Sequence, residues 1–181
     1  MDNKRYFAGI GSRKTPASLF NFIKEIITLF PQNFILRSGA ADGADKMFEQ
    51  AADECGLRTE IWLPWKGFNS HSSTLYPTYN PAALDFKIAK RYHPNWNAVQ
   101  RGARMMHIRN VYQILGADLH APCELVICYT VDGSEGITTR ETGGTGQALR
   151  LAYDLNIPII NIARDKKNTV HRIKQLLERD I

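Results

Sequence analysis

Gly143, Gly144 and Gly146 fall within one short stretch, "ETGGTGQALRLAYDLN", at the mouth of a helical run. Glycine lacks the Cβ that would hold a ligand away from the backbone, and the first N–H groups of a helix have no partner inside it. Clustered at such a place, glycines let a phosphate rest on exposed amides at the positive end of the helix. Thr145 and Gln147 stand in the same turn and complete this part of the predicted ligand-binding set. The pattern recurs twice. "RYFAGIGSR" puts Gly9 and Gly11 after an apolar strand, with Ser12 and Arg13 next, and "FILRSGAADGAD" puts Ser38, Gly39 and Gly43 after another, beside Arg37. Gly11, Ser12, Arg13, Ser38 and Gly39 are therefore expected to share in the same anion site. Asp42 is read either as a helix cap or as an acceptor for a ribose hydroxyl.

Other chemistries fit poorly. A P-loop requires G-x-x-x-x-G-K-[ST], and the sequence has no such lysine. The dinucleotide fingerprint G-x-G-x-x-G fails at its third glycine in both "GIGSRK" and "GTGQAL". Asp165 sits where a ribose-binding acid would, so a dinucleotide stays an alternative, although the loop between "ELVICYT" and its glycines is long for that turn. His120, Cys123 and Cys128 lack the H-x-E and P-C-x-x-C spacing of a zinc deaminase, and no H-E-x-x-H or G-x-S-x-G occurs. Neither metal nor cofactor is expected.

The elements that must carry these tips follow from hydrophobic pattern. "RYFAGIG", "FILRSG", "TEIWLP", "ELVICYT" and "IPIINIA" read as short buried strands. "PASLFNFIKEIITLF", "AADGADKMFEQAADECG", "GGTGQALRLAYDLN" and "NTVHRIKQLLER" read as helices. Alternation of this kind predicts an α/β fold, a Rossmann-like open parallel sheet flanked by helices, in which ligands bind at the carboxyl ends of the strands. Residues 65–100 break the pattern. This Ser-, Pro- and Tyr-rich insertion holds Trp65, Phe68, Tyr76, Tyr79, Tyr92 and Trp96, rings that either fasten a long loop to the core or stack on a base. Helices are expected near residues 81–92 and 96–115. The stretch from Asp85 to Arg109 is basic, with Lys87, Lys90, Arg91, Arg101, Arg104 and Arg109.

A length of 181 residues suits a single Rossmann-like domain spanning residues 1–181. The formal charge of +5 tilts toward an anionic partner. Three cysteines without C-x-x-C spacing point to a reducing, cytoplasmic location, consistent with an N-terminus that lacks a secretory pattern. No apolar run approaches the roughly 20 residues needed to span a bilayer, so no membrane partner is expected.

Taken together, "GIGSR", "SGAADGADKMFEQAA" and "TGGTGQALRLAYDLNIPIIN" resemble the SLOG-type superfamily of Rossmann-like nucleotide-binding proteins. It includes the LOG-type cytokinin-activating phosphoribohydrolases and DNA-processing protein A. The likeness runs over residues 6–162, thinly at 65–100, and "SGAADGAD" is similar to small bacterial and phage proteins with an S-G-[GA]-A-x-G-A-D segment. LOG-type enzymes cleave the N-glycosidic bond of a nucleoside 5'-monophosphate through M-x-x-R-K and P-G-G-x-G-T-x-x-E. Here "MHIRN" retains the arginine as Arg109, with Asn110 for the lysine, and "TGGTGQALR" retains the glycines. The glutamate position is Arg150. The resemblance thus implies a nucleotide ligand, with Arg109 a catalytic or binding residue and Glu141, beside the glycine loop, standing in for the missing acid. Asp132, Glu135, Asp42 and Asp45 are other carboxylates near the tips. Two alternatives stay open: a non-catalytic nucleotide sensor or carrier, which Arg150 favours, and a single-stranded DNA-binding protein of the DNA-processing type. LOG-type relatives also imply a homodimer.

Overall fold

The computed structural model describes residues 4–178. Five strands, β1 (Arg5–Gly11), β2 (Phe34–Ser38), β3 (Arg58–Ile61), β4 (Leu125–Tyr129) and β5 (Ile159–Asn161), form one sheet in the order β3-β2-β1-β4-β5. Every pairing is parallel. The helices are α1 (Phe20–Ile27), α2 (Ala44–Glu54), α3 (Leu84–Arg91), α4 (Arg101–Leu115), α5 (Thr145–Asp154) and α6 (Lys166–Glu178). The chain builds outward from β1 to β3 and then returns to lay β4 on the other side of β1. Strand order therefore reverses between β1 and β4, where a crevice opens in folds of this type.

A strand's side chains alternate between its two faces, and the core divides accordingly. Phe7, Leu36, Leu125 and Ile127 pack with α1, α2 and α6, through residues such as Ile23, Phe48 and Ile173. Ala8, Ile10, Val126 and Cys128 pack against α3, α4 and α5, through Ala89, Ile108 and Leu149. Each fully buried Leu, Ile or Phe of these layers contributes about 1.5–3 kcal/mol of transfer free energy. Cys128 is fully buried, and burial pushes its thiol far above the ordinary value, so it behaves as a small apolar residue.

The expected elements form, with shifted ends. The helix expected from Pro16 begins as a 3-10 turn (Ala17–Leu19), and α1 stops at Ile27, where the Thr28 hydroxyl donates back to the Glu25 carbonyl at 2.7 Å. β3 ends at Ile61, so "WLP" lies beyond the strand and Trp62 makes only an isolated bridge to Leu75. The segment from Trp96 turns once (Trp96–Ala98) and extends at Val99 and Gln100 before α4 begins. Within residues 65–100, rings fasten the loop: Phe86 meets Tyr79 edge-on at 5.6 Å and Trp96 at 5.2 Å.

Among the described residues, no helix is long and apolar enough to cross a membrane.

Candidate functional site

The ends of β1 and β4 open into a cleft of about 670 Å³. Its walls are residues 10–14 at the end of β1, residues 140–145 leading into α5, and the α4 face that carries Met106, Arg109, Asn110 and Gln113. Two of the three predicted tips thus meet on one rim; the third contributes Ala41 and Asp45.

The cleft floor is organised by a buried ion pair. Asp45 and Arg109 are each 4% exposed, with Nη1 of Arg109 3.3 Å from Oδ2 of Asp45. Nη1 also donates to the Gly39 carbonyl at 2.5 Å, while Oδ1 of Asp45 accepts the Gly11 N–H at 3.1 Å and Oδ2 accepts from Gln113 at 3.4 Å. One carboxylate on α2 and one guanidinium on α4 therefore pin the ends of β1 and β2 together. Burial raises the Asp45 carboxyl above its ordinary value and lowers the Arg109 guanidinium, and the partner's charge opposes the shift in each case. Close packing explains Gly39, since a Cβ there would lie 1.5 Å from Nη1 of Arg109. Gly43 opens α2 at φ 84°, and a Cβ would meet the Ser12 carbonyl at 2.4 Å.

The loop from β4 to α5 is stiffened by a single carboxylate. Oδ2 of Asp132 accepts from the hydroxyls of Ser134 (2.7 Å), Thr139 (2.7 Å) and Thr142 (2.5 Å). Burial works to raise the Asp132 carboxyl, but these hydroxyls together with Thr130 outweigh it and hold the group well below the usual carboxylate range. Asn161 fastens the loop base to β5 by donating to Thr130 Oγ1 at 2.6 Å and to the Ser134 carbonyl at 2.8 Å. Asp132→Ala strands three hydroxyls, and we expect it to cost about 1–3 kcal/mol and to loosen the loop. Urea melts together with faster amide exchange over residues 134–142 check this.

The remaining predicted residues separate clearly. Gly11, Ser12, Arg13, Arg109, Glu141, Gly143, Gly144 and Thr145 line the cleft. Ser38, Gly39, Asp42, Gly146 and Gln147 do not. Ser38 is fully buried and its hydroxyl donates to the Gly9 carbonyl at 2.7 Å. Gln147 is also fully buried and accepts from Asn110 at 3.1 Å, behind the cleft wall. Gly146 packs against Thr142 and Arg150. Asp42 caps nothing: α2 has no side-chain cap, and the Asp42 carboxylate pairs with Lys46 at 2.6 Å on the surface. Arg37 points elsewhere, 2% exposed and bound to Glu60 at 2.9 Å and to the Ala121 carbonyl.

Of the carboxylates near the rim, Glu135 pairs with Arg172 at 2.8 Å, and Asp42, Asp45 and Asp132 are engaged as described. Glu141 is exposed, lines the cleft, and its carboxylate makes no hydrogen bond or ion pair among the described residues. Arg150 lies outside the lining, donating to the Tyr92 carbonyl at 2.7 Å and to Thr138 at 2.6 Å. Of the cations, Arg13, Lys14 and Arg140 are exposed on the rim and stand in no ion pair among the described residues. Nη2 of Arg109 likewise makes no hydrogen bond there. The backbone N–H groups of Gly144 and Thr145, which open α5, have no acceptor within the described chain.

Sequence reading missed His107 and Gln113 as site residues and gave Asn110 no role beyond its place in the motif. The signal was available: Asn110 and Gln113 recur at helical spacing on the face of α4 that also carries Arg109. His107 also lines the cleft, 8% exposed, with Nδ1 unpartnered; burial, then the neighbouring His93, Arg150 and Arg109, lowers its pKa to about 4. Among the described residues no group of His, Cys, Asp and Glu could hold a metal ion.

A parallel sheet with helices on both faces and a cleft at its strand-order reversal defines a Rossmann-like α/β protein. No family model matches the chain, and no curated protein matches it. Among solved structures, DNA processing protein A (DprA) from Streptococcus pneumoniae matches with a TM-score of 0.50 at 15% identity, over 98% of this chain and 56% of that one. This chain spans little more than half the length of that protein, and the likeness is one of fold.

Proposed function

We propose that this chain belongs to the SLOG-type superfamily and binds a nucleoside 5'-monophosphate or related nucleotide in the rim cleft, in the cytoplasm. The observation that carries the reading is the pair of unbonded amides at Gly144 and Thr145, facing a rim where Arg13, Lys14 and Arg140 oppose only Glu141. Helix amides and unpaired cations together favour a phosphate. On this reading Nη2 of Arg109 donates to the phosphate or the sugar, while its Nη1 holds the floor.

Glu141 gives the cleft a carboxylate suited to N-glycosidic hydrolysis. As the bond from C1' to the base breaks, positive charge grows on the sugar, and an ionised carboxylate stabilises it. Water then adds its oxygen to C1' and its proton leaves with the base, giving free base and a sugar 5-phosphate. Incubation with a panel of nucleoside 5'-monophosphates is expected to release base slowly. Glu141→Gln should reduce that release by about a hundredfold while ligand still binds. Binding without base release would reduce the reading to a nucleotide sensor, and equal release by Glu141→Gln would remove the residue's role.

Single-stranded DNA is a second reading, favoured by the fold shared with a protein named for DNA processing and by the same unpaired cations. It predicts oligonucleotide binding that weakens steeply with salt, because neutralised phosphates release counterions. A response independent of salt would count against it.

A further inference from the structure

A second cavity, of about 550 Å³, opens beyond the end of β3 between α4, the start of α3 and residues 74–78, and shares no lining residue with the rim cleft. Its chemistry is the reverse of the rim's. The sequence carries 23 lysines and arginines, yet neither these nor any histidine lines this cavity. Its one carboxylate is Asp85, 4% exposed. Both Asp85 oxygens meet neutral donors only, the Tyr112 hydroxyl at 2.8 Å and the Phe86 N–H at 2.7 Å, and Asp85 stands in no ion pair among the described residues. Buried carboxylates are ordinarily matched by a cation. The start of α3 offsets some of the charge on Asp85, but it does nothing for the other wall. There Trp62, 5% exposed, stacks on Tyr112 at 4.6 Å, and its indole Nε1 is buried with no acceptor. Tyr76 and Leu84, 39% and 54% exposed, stand at the mouth.

A carboxylate without a cation and aromatic walls in one cavity define a ligand by its charge and its stem. We propose that this cavity binds a compact organic cation, an ammonium or guanidinium on an aliphatic stem. The cation sits on Asp85 with the aromatic rings around its stem. The volume lies in the range of small-molecule sites. Neither the rim cleft nor its nucleotide is involved, so the two readings stand or fall separately.

Indole N–H resonances in nitrogen-15 spectra test this directly, because the chain has three tryptophans and Trp62→Phe assigns the one concerned. Two probes test the claim: argininamide carries the cation, and valeramide lacks it. Argininamide is expected to shift the Trp62 resonance saturably, and valeramide not to saturate at millimolar concentration. Asp85→Asn removes the charge, keeps one acceptor oxygen and leaves an amide N–H that the Tyr112 hydroxyl can accept by turning, and it should weaken argininamide by about tenfold or more. If that variant does not fold, Leu84→Lys at the exposed mouth supplies a competing cation and should block argininamide while leaving the rest of the spectrum in place. The proposal is overturned if argininamide gives no saturable shift at Trp62, if valeramide matches it, or if the folded variants bind it as the wild type does.

Discussion

Asp45→Ala is expected to lower the unfolding free energy by about 3–5 kcal/mol, because it leaves the Arg109 guanidinium buried without a counter-charge. Arg109 is 4% exposed, and its remaining acceptors would be the Gly39 carbonyl at 2.5 Å and the Trp62 carbonyl at 3.4 Å. The same change strips the Gly11 N–H of its acceptor and so releases the end of β1 that forms one cleft wall. Desolvation offsets much of the attraction within a buried ion pair, so its net contribution to stability is small. Replacing both members with apolar residues of similar volume, as in the double variant Asp45→Leu with Arg109→Met, should therefore recover most of the loss. Urea melts of the three proteins decide the matter. An Asp45→Ala variant within about 1 kcal/mol of the wild type would mean that the floor is not organised by this pair.

Acid should destabilise the protein through His107. An imidazole ordinarily titrates near 6.5, and burial lowers this one to about 4. With the folded-state pKa depressed, only the unfolded chain gains a proton as pH falls below 6.5. Stability on this account is full above that value and is lost progressively down to about pH 4, below which both states are protonated. The span corresponds to roughly 3 kcal/mol. His107→Gln cannot titrate, and its stability should change less between pH 7 and pH 4 than that of the wild type by about that amount. Parallel pH profiles for the two proteins would show that the acid sensitivity lies elsewhere.

The strands were legible because each is a short apolar run, and the glycine tips because only glycine suits such approaches. Gly43, at φ 84° and against the Ser12 carbonyl, is an example. Partners distant in sequence were not legible. Nothing near "ADGADK" announces that Asp45 will meet an arginine 64 positions later, or that Arg37 will turn to Glu60 and Ala121 instead of the rim. Asp42 read as a cap or a sugar ligand because local spacing permits both, yet Lys46 one turn along the helix engages it. Ser38 and Gln147 carry polar groups suited to a ligand, but each points into the protein, where the Ser38 hydroxyl donates to the Gly9 carbonyl and the Gln147 oxygen accepts from Asn110. Residues 65–80 lack a period because ring-to-ring packing, as between Trp65 and Phe68, fastens them and leaves no repeat in the sequence.

Paired calorimetric titrations with nucleoside 5'-monophosphates and the matching nucleosides test the central claim most directly. The account predicts saturable binding of at least one monophosphate, far weaker binding of its nucleoside, and a marked loss of affinity in Arg13→Ala/Arg140→Ala. At a hundredfold excess over the dissociation constant the ligand should stabilise the fold by about 2.7 kcal/mol. Equal affinity with and without the phosphate, or binding that the double variant leaves untouched, would contradict it.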